Sequence, residues 1–230
     1  MPDDPVLLIT GASSGIGAAT ARQAAQAGYR LVLAARSEER LQGLARELGG
    51  DARAIAVCCD VTSWEDQQSL VRWALDAYGR IDVAFANAGF GGPRGFERHE
   101  PEEMRSMVLT NVRGVAYTIR ATLPHLRERR GHLLLTSSLA GRRPLPGSLY
   151  SATKYAVTAM GEAARLELNG TGVRVTLIEP GQVEPPFFER PGEIERLHAD
   201  DVAGAVMYAL SQPARVDVNE ILVRPTAQDG

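Results

Sequence analysis

The chain of 230 residues contains one lysine: among its 25 Lys and Arg, Lys154 alone is not arginine. No apolar run approaches the ~20 residues needed to span a bilayer, so a helical membrane protein is not expected. No basic run carries interleaved aromatics and the net charge is −3, which argues against a nucleic-acid partner. Cysteine is scarce, and Cys58 and Cys59 are adjacent. Neighbours on a strand point to opposite faces, a poor geometry for a disulfide. Both read as buried apolar residues of a reduced, cytoplasmic protein. The N-terminal MPDDPVLLITG is acidic and enters a strand-like run at once, unlike a signal peptide. No linker, low-complexity tract or repeat divides the chain, so 1–230 reads as one domain.

What is present is an alternation. The runs VLLIT, RLVLAA, ARAIAVC, DVAFAN, HLLLTS, VRVTLI and EILV read as strands. Between most of them lie helical stretches over 15–27, 38–48, 64–78, 102–126 and 151–168. Strand and helix alternating over the full length predict an α/β fold, with a parallel sheet covered on both faces. Trp64 and Trp73 lie within these helices and read as packing residues.

The first strand runs into ITGASSGIG, whose Gly11, Gly15 and Gly17 are spaced G-x-x-x-G-x-G. Glycines let the backbone turn sharply and approach a pyrophosphate seated on the helix N-terminus. Gly11, Ser13, Ser14, Gly15, Ile16 and Gly17 are therefore candidates for binding a dinucleotide. The same residues satisfy G-x-S-x-G, the nucleophile elbow of serine hydrolases. That alternative needs a late acid and histidine, and His99, His125, His132 and His198 stand in no convincing setting for it. The second strand ends at Ala35, where NAD-preferring folds place an acid for the ribose hydroxyls. Arg36 follows. A guanidinium cannot accept from a hydroxyl but pairs with a 2′-phosphate, so the pattern favours NADP(H) over NAD(H). Ser13 offers a second contact to that phosphate.

YSATK places Tyr150 and Lys154 four residues apart, on one helix face. A phenol has a pKa of ~10, and a nearby ammonium lowers it toward the working range of a proton shuttle. Lysine is compact and exchanges protons, whereas guanidinium is planar and stays charged. A chain that otherwise uses arginine alone, yet keeps lysine here, points to a functional lysine.

With TGASSGIG, CDVT, NAG, TNVRG, SSLAG, YSATK and EPGQV in this order, nearly the whole chain resembles the short-chain dehydrogenases/reductases. The resemblance implies a Rossmann-type, doubly wound, seven-stranded parallel sheet in the order 3-2-1-4-5-6-7. It implies hydride transfer between a nicotinamide and a small-molecule carbonyl or alcohol. Tyr150 would be the general acid or base. Lys154 would hold the nicotinamide ribose and lower the Tyr150 pKa. Ser138 would orient the substrate oxygen, and Asn111 would hold a water in a proton relay. Asp60 and Val61 would contact adenine. Asn87, Ala88 and Gly89 would line the cofactor beyond the fourth strand. Pro180, Gly181 and Val183 would border the carboxamide.

Relatives commonly place the orienting serine thirteen residues before the tyrosine, and here that position is Ser137. The SSLAG context selects Ser138, with one residue lost from RRPLPGS. The family often has threonine where this chain has Pro185, which supplies neither hydroxyl nor N–H. A short substrate loop is expected over 182–198, with Phe187, Phe188, Phe90, Leu145 and Pro146 as apolar contacts. The helices from Glu102 and Ser151 resemble those buried between subunits, which implies a homodimer or homotetramer. A non-catalytic dinucleotide sensor or scaffold of the same fold is the alternative, although it could dispense with the Ser–Tyr–Lys–Asn set retained here.

Overall fold

The computed structural model describes residues 4–184 and 195–228. Seven strands are observed: β1 (Val6–Thr10), β2 (Arg30–Ala35), β3 (Ala54–Cys58), β4 (Val83–Ala86), β5 (His132–Thr136), β6 (Arg174–Pro180) and β7 (Glu220–Val223). They form one sheet in the order β3-β2-β1-β4-β5-β6-β7, and every pairing is parallel. Parallel strands need crossovers, and helices supply them: α1 (Gly15–Gln26), α2 (Glu38–Glu47), α3 (Trp64–Tyr78), α4 (Pro101–Val108), α5 (Val115–Arg129), α6 (Leu149–Glu167) and α7 (Ala199–Ser211). The order is the one the family resemblance implied.

The central strands are near-continuous apolar runs because both sheet faces are covered. Strand pleating divides β1 between two cores. Val6 and Leu8 join Leu70, Leu126 and Val157 on the side of α3, α5 and α6. Leu7 and Ile9 join Ala21, Leu41 and Val206 on the side of α1, α2 and α7. Edge strands β3 and β7 retain exposed positions, as expected where half the covering is missing. Strand β1 pairs with both β2 and β4, so the chain's winding reverses at β1. Open α/β sheets have their ligand crevice at such a reversal, beyond the carboxyl ends of the strands.

Three expectations need correction. The helix expected over 102–126 is two helices, α4 and α5, joined through a wide π-helical segment at Leu109–Gly114. Asn111 lies in this segment and ties into the neighbouring loop, a local demand that helical periodicity does not reveal. Cys58 is exposed, because it ends an edge strand, and only Cys59 is buried. Trp73 is 60% exposed, since α3 buries Gln67, Leu70, Val71 and Ala74 on its other side. Trp64 does pack, edge-on to Tyr117 with ring centroids 5.5 Å apart and beneath the Arg120 guanidinium. Among the described residues, no helix is long and apolar enough to cross a membrane.

Candidate active site

The carboxyl ends of the strands open into a cleft of about 850 Å³. One end is lined by the turn after β1 and by Arg36, Arg40 and Asp60. Tyr150, Ser138 and Lys154 line it farther along, with Phe90, Leu145 and Val183. A hollow of about 950 Å³ beside α2, β3 and α3 contains none of the predicted residues, so volume alone does not locate the chemistry.

The glycine turn is shaped by close approach. Gly11 has φ +67°, and a Cβ there would lie 2.9 Å from the Cα of Ala88. At Gly17 a Cβ would meet the Gly11 carbonyl and lie 2.8 Å from Asn87 Nδ2. These contacts leave no room for side chains between β1, α1 and the β4 loop. The turn's backbone therefore stays bare at the N-terminus of α1, the arrangement suited to a pyrophosphate. Ser13, Ser14, Gly15 and Ile16 line the cleft, whereas Gly17 is buried behind it.

Asn87 braces the scaffold. Its Nδ2 donates to the Thr10 carbonyl at 3.1 Å, and its Oδ1 accepts from Thr136 Oγ1 at 3.0 Å, joining the ends of β1, β4 and β5. Its amide group is thus engaged by protein, while Ala88 and Gly89 face the cleft. Asp60 accepts from the Thr62 amide at 2.9 Å, and the cap of α3 is Ser63, which accepts from the Asp66 amide. Val61 lines the cleft and packs beside Gly114, where a Cβ would come within 2.7 Å of Val61 Cγ2.

Lys154 is buried, and its Nζ donates to the Thr136 carbonyl at 2.8 Å. Burial without a carboxylate partner pushes its pKa down to about 8. Asn111 is buried beside it. Its Oδ1 accepts from the Phe90 amide at 3.0 Å, and its Nδ2 donates to the Phe90 carbonyl at 2.8 Å and to Thr153 Oγ1 at 3.1 Å. Both side-chain atoms are engaged, so a water held at this residue would use its main chain. A Cβ on Gly89 would lie 3.1 Å from Asn111 Oδ1 and 3.5 Å from Lys154 Nζ, which shows how closely the three meet.

The Tyr150 phenol departs from the expected direction. Burial raises its pKa, and the adjacent Ser138 hydroxyl opposes this only in part. Lys154 Nζ lies 5.5 Å from the Tyr150 ring centroid and gives its hydrogen bond to Thr136 instead. In this cofactor-free cleft the opposing influence on the phenol comes from Ser138, and burial prevails over it. Tyr150 therefore holds its proton at neutral pH and can donate it.

Ser138 accepts from the Ala140 amide at 3.1 Å and donates to the Pro180 carbonyl at 3.3 Å. Pro180, Gly181 and Val183 complete that wall. Gly181 and Gln182 are held by the C-terminal segment: the Gln182 amide donates to Gln228 Oε1 at 2.8 Å. Pro185, Phe187 and Phe188 lie outside the described residues. The sequence reading overlooked Thr136, whose carbonyl holds the lysine, and Arg40 and Arg94, which line the cleft. A basic residue four after Arg36 was the available signal for Arg40. The serine-hydrolase alternative lacks a partner, since none of the four histidines lines the cleft with Ser13.

The fold and this cleft define a dinucleotide-binding oxidoreductase, and comparison with known proteins agrees. The short chain dehydrogenase family model matches residues 5–194. An uncharacterised oxidoreductase of Staphylococcus haemolyticus is 40% identical over 224 residues, covering 96% of both chains. An alcohol dehydrogenase of the archaeon Thermococcus sibiricus, solved in complex with 5-hydroxy-NADP, superposes with a TM-score of 0.91 at 34% identity, covering 99% of both chains. Serine dehydrogenase of Escherichia coli superposes with a TM-score of 0.89 at 33% identity, over 98% of this chain and all of that one. The chain belongs to the short-chain dehydrogenase family and is an oxidoreductase of that type.

Proposed function

We propose that the protein interconverts a carbonyl and an alcohol with NADP(H), using Tyr150 as the general acid or base. The observation that carries this reading is the convergence of Ser138, protonated Tyr150 and buried Lys154 in one cleft with the bare glycine turn and Arg36. The residues fit a dinucleotide. The turn at Gly11–Gly17 would hold the pyrophosphate, Asp60 and Val61 the adenine side, and Lys154 the nicotinamide ribose. Ala88, Gly89, Pro180, Gly181 and Val183 would border the nicotinamide, with Asn87 bracing the strand ends beneath it. The nicotinamide, when bound, supplies or accepts the hydride.

In reduction, Ser138 turns its hydroxyl proton from the Pro180 carbonyl to the substrate oxygen and orients that oxygen beside the phenol. Tyr150 gives its proton to that oxygen as negative charge develops there. Lys154 favours the resulting phenolate by its charge, and Asn111 fixes the segment beside it. In oxidation the phenolate accepts the alcohol proton. At neutral pH the phenol holds its proton, so the donor is loaded for reduction, and a positive charge beside it would strengthen it as an acid.

The NADP(H) preference is supported by Arg36, by Arg40 on the same cleft, by the missing acid at Ala35, and by the cofactor analogue of the archaeal neighbour. We also assign one domain to the chain, a cytoplasmic setting, and a homodimer or homotetramer built on α4–α5 and α6. Carbonyl-dependent oxidation of NADPH across aldehydes and ketones, and reduction of NADP by alcohols, tests the activity. Tight NADPH binding without turnover of any of them would instead identify a sensor.

A further inference from the structure

We propose that Arg94 binds a carboxylate of the substrate, so that the protein acts on hydroxy acids and the corresponding oxo acids; this rests on the oxidoreductase reading above. The cationic side chains lining the cleft are Arg36, Arg40, Arg94 and Lys154. Lys154 donates to the Thr136 carbonyl and is assigned above to the nicotinamide ribose. Arg36 and Arg40 belong to the end of β2 and the start of α2. Arg94 belongs to the other wall, in the segment after β4.

Two contacts place it near the reacting groups. Three residues before it, a Cβ on Gly91 would lie 3.8 Å from the Tyr150 ring, so this segment runs alongside that ring. One residue after it, the Gly95 amide donates to the Gly147 carbonyl at 2.8 Å. That bond joins the Arg94 segment to the stretch carrying Leu145 and Ser148, which line the same cleft and lead into Tyr150. Arg94 is therefore held between two segments that flank the proton donor.

Its charge is unused by the protein. Arg94 is exposed and, among the described residues, has neither an ion pair nor a side-chain hydrogen bond. Of the two carboxylates lining the cleft, Asp60 accepts from the Thr62 amide and Glu184 is engaged by His198 Nδ1 at 3.0 Å. An unpaired guanidinium on a residue lining the cleft offers two parallel N–H donors, the geometry of a carboxylate. Arg94 is the one cation of its wall, with Arg36 and Arg40 on the opposite one, and this suits a monoanion better than a phosphate dianion, whose second charge would find no partner on the same wall.

The experiment compares kcat/KM for α-, β- and γ-hydroxy acids with that for their methyl esters, in the wild type, Arg94→Gln and Arg94→Lys. The wild type is expected to prefer at least one acid over its ester by ~10- to 100-fold, the range of a charge-assisted hydrogen bond. Arg94→Gln should collapse that ratio, chiefly through the KM of the acid, and Arg94→Lys should retain part of it. A wild-type ratio near one, or equal losses on acid and ester in Arg94→Gln, would overturn the carboxylate assignment alone. Failure to turn over any acid, ester or neutral alcohol with either nicotinamide cofactor would overturn the oxidoreductase reading with it.

Discussion

Ser137 and Ser138 are chain neighbours whose hydroxyls serve different structures. Ser137 is buried beneath α6, donating to the Lys154 carbonyl at 3.1 Å and sharing a 2.8 Å hydrogen bond with Thr158. Ser138 stands beside the Tyr150 phenol, with its hydroxyl on the Pro180 carbonyl. Ser138→Ala should cut kcat/KM by ~10²–10³, the effect of removing a donor to a developing oxyanion. Ser137→Ala should cost far less in rate and show mainly as lowered thermal stability. Steady-state kinetics and melting curves of both variants check this, and the reverse ranking would move the orienting role to Ser137.

Tyr150→Phe should abolish turnover and leave NADPH affinity within about threefold, because only the phenolic proton is lost. Fluorescence titration with NADPH, alongside the rate assay, separates the two. Lys154→Arg should impair both binding and rate. The larger guanidinium must enter a buried position, next to Gly89, that the lysine already fills. A variant with near-wild-type rate and pH profile would remove the special role of the sole lysine.

Burial of Lys154 also predicts a pH-dependent stability. Its pKa is depressed from 10.5 to about 8 in the folded, cofactor-free protein. Below about pH 8 both folded and unfolded states carry the ammonium, and the folded state bears its desolvation. Between there and 10.5 the folded state has released the proton while the unfolded state still holds it, so stability rises with pH. Relative to Lys154→Met, the wild type should gain roughly 3 kcal/mol across this window. Urea melts of both proteins at about pH 7 and about pH 10 measure it, and a pH-independent difference would contradict the depressed lysine.

Arg36→Ala should lower the NADPH-over-NADH preference by ~10- to 100-fold. Arg40→Ala should reduce it further when combined, since both side chains line that end of the cleft. The ratio of kcat/KM for the two cofactors is the readout. Equal use of both cofactors by the wild type would sink the NADP(H) assignment.

The exposed Val108 at the end of α4 and Tyr155 on α6, each about 40% accessible, lie on the helices assigned to the subunit contact. Val108→Glu together with Tyr155→Glu should shift the protein to monomer in light scattering at micromolar concentration. A wild type that is already monomeric would refute the assembly.

The strands, most helices, the glycine turn and the Tyr150–Lys154 pair were legible in the sequence because each depends on short-range periodicity. Alternating covered runs mark β1 to β7, and a spacing of four places tyrosine and lysine on one face of α6 whatever surrounds them. What those side chains do was decided by tertiary neighbours. The phenol's pKa rises because the cleft desolvates it, and the lysine on α6 bonds Thr136 at the end of β5. Asn87 and Asn111 spend their amides on Thr10, Thr136, Phe90 and Thr153, partners that meet only when β1, β4, β5 and α6 assemble. Gln228 supports Gln182 from 46 residues away. Local spacing determines which face a residue occupies, but strand order and packing determine what stands opposite, and desolvation and hydrogen bonding act through that opposite neighbour.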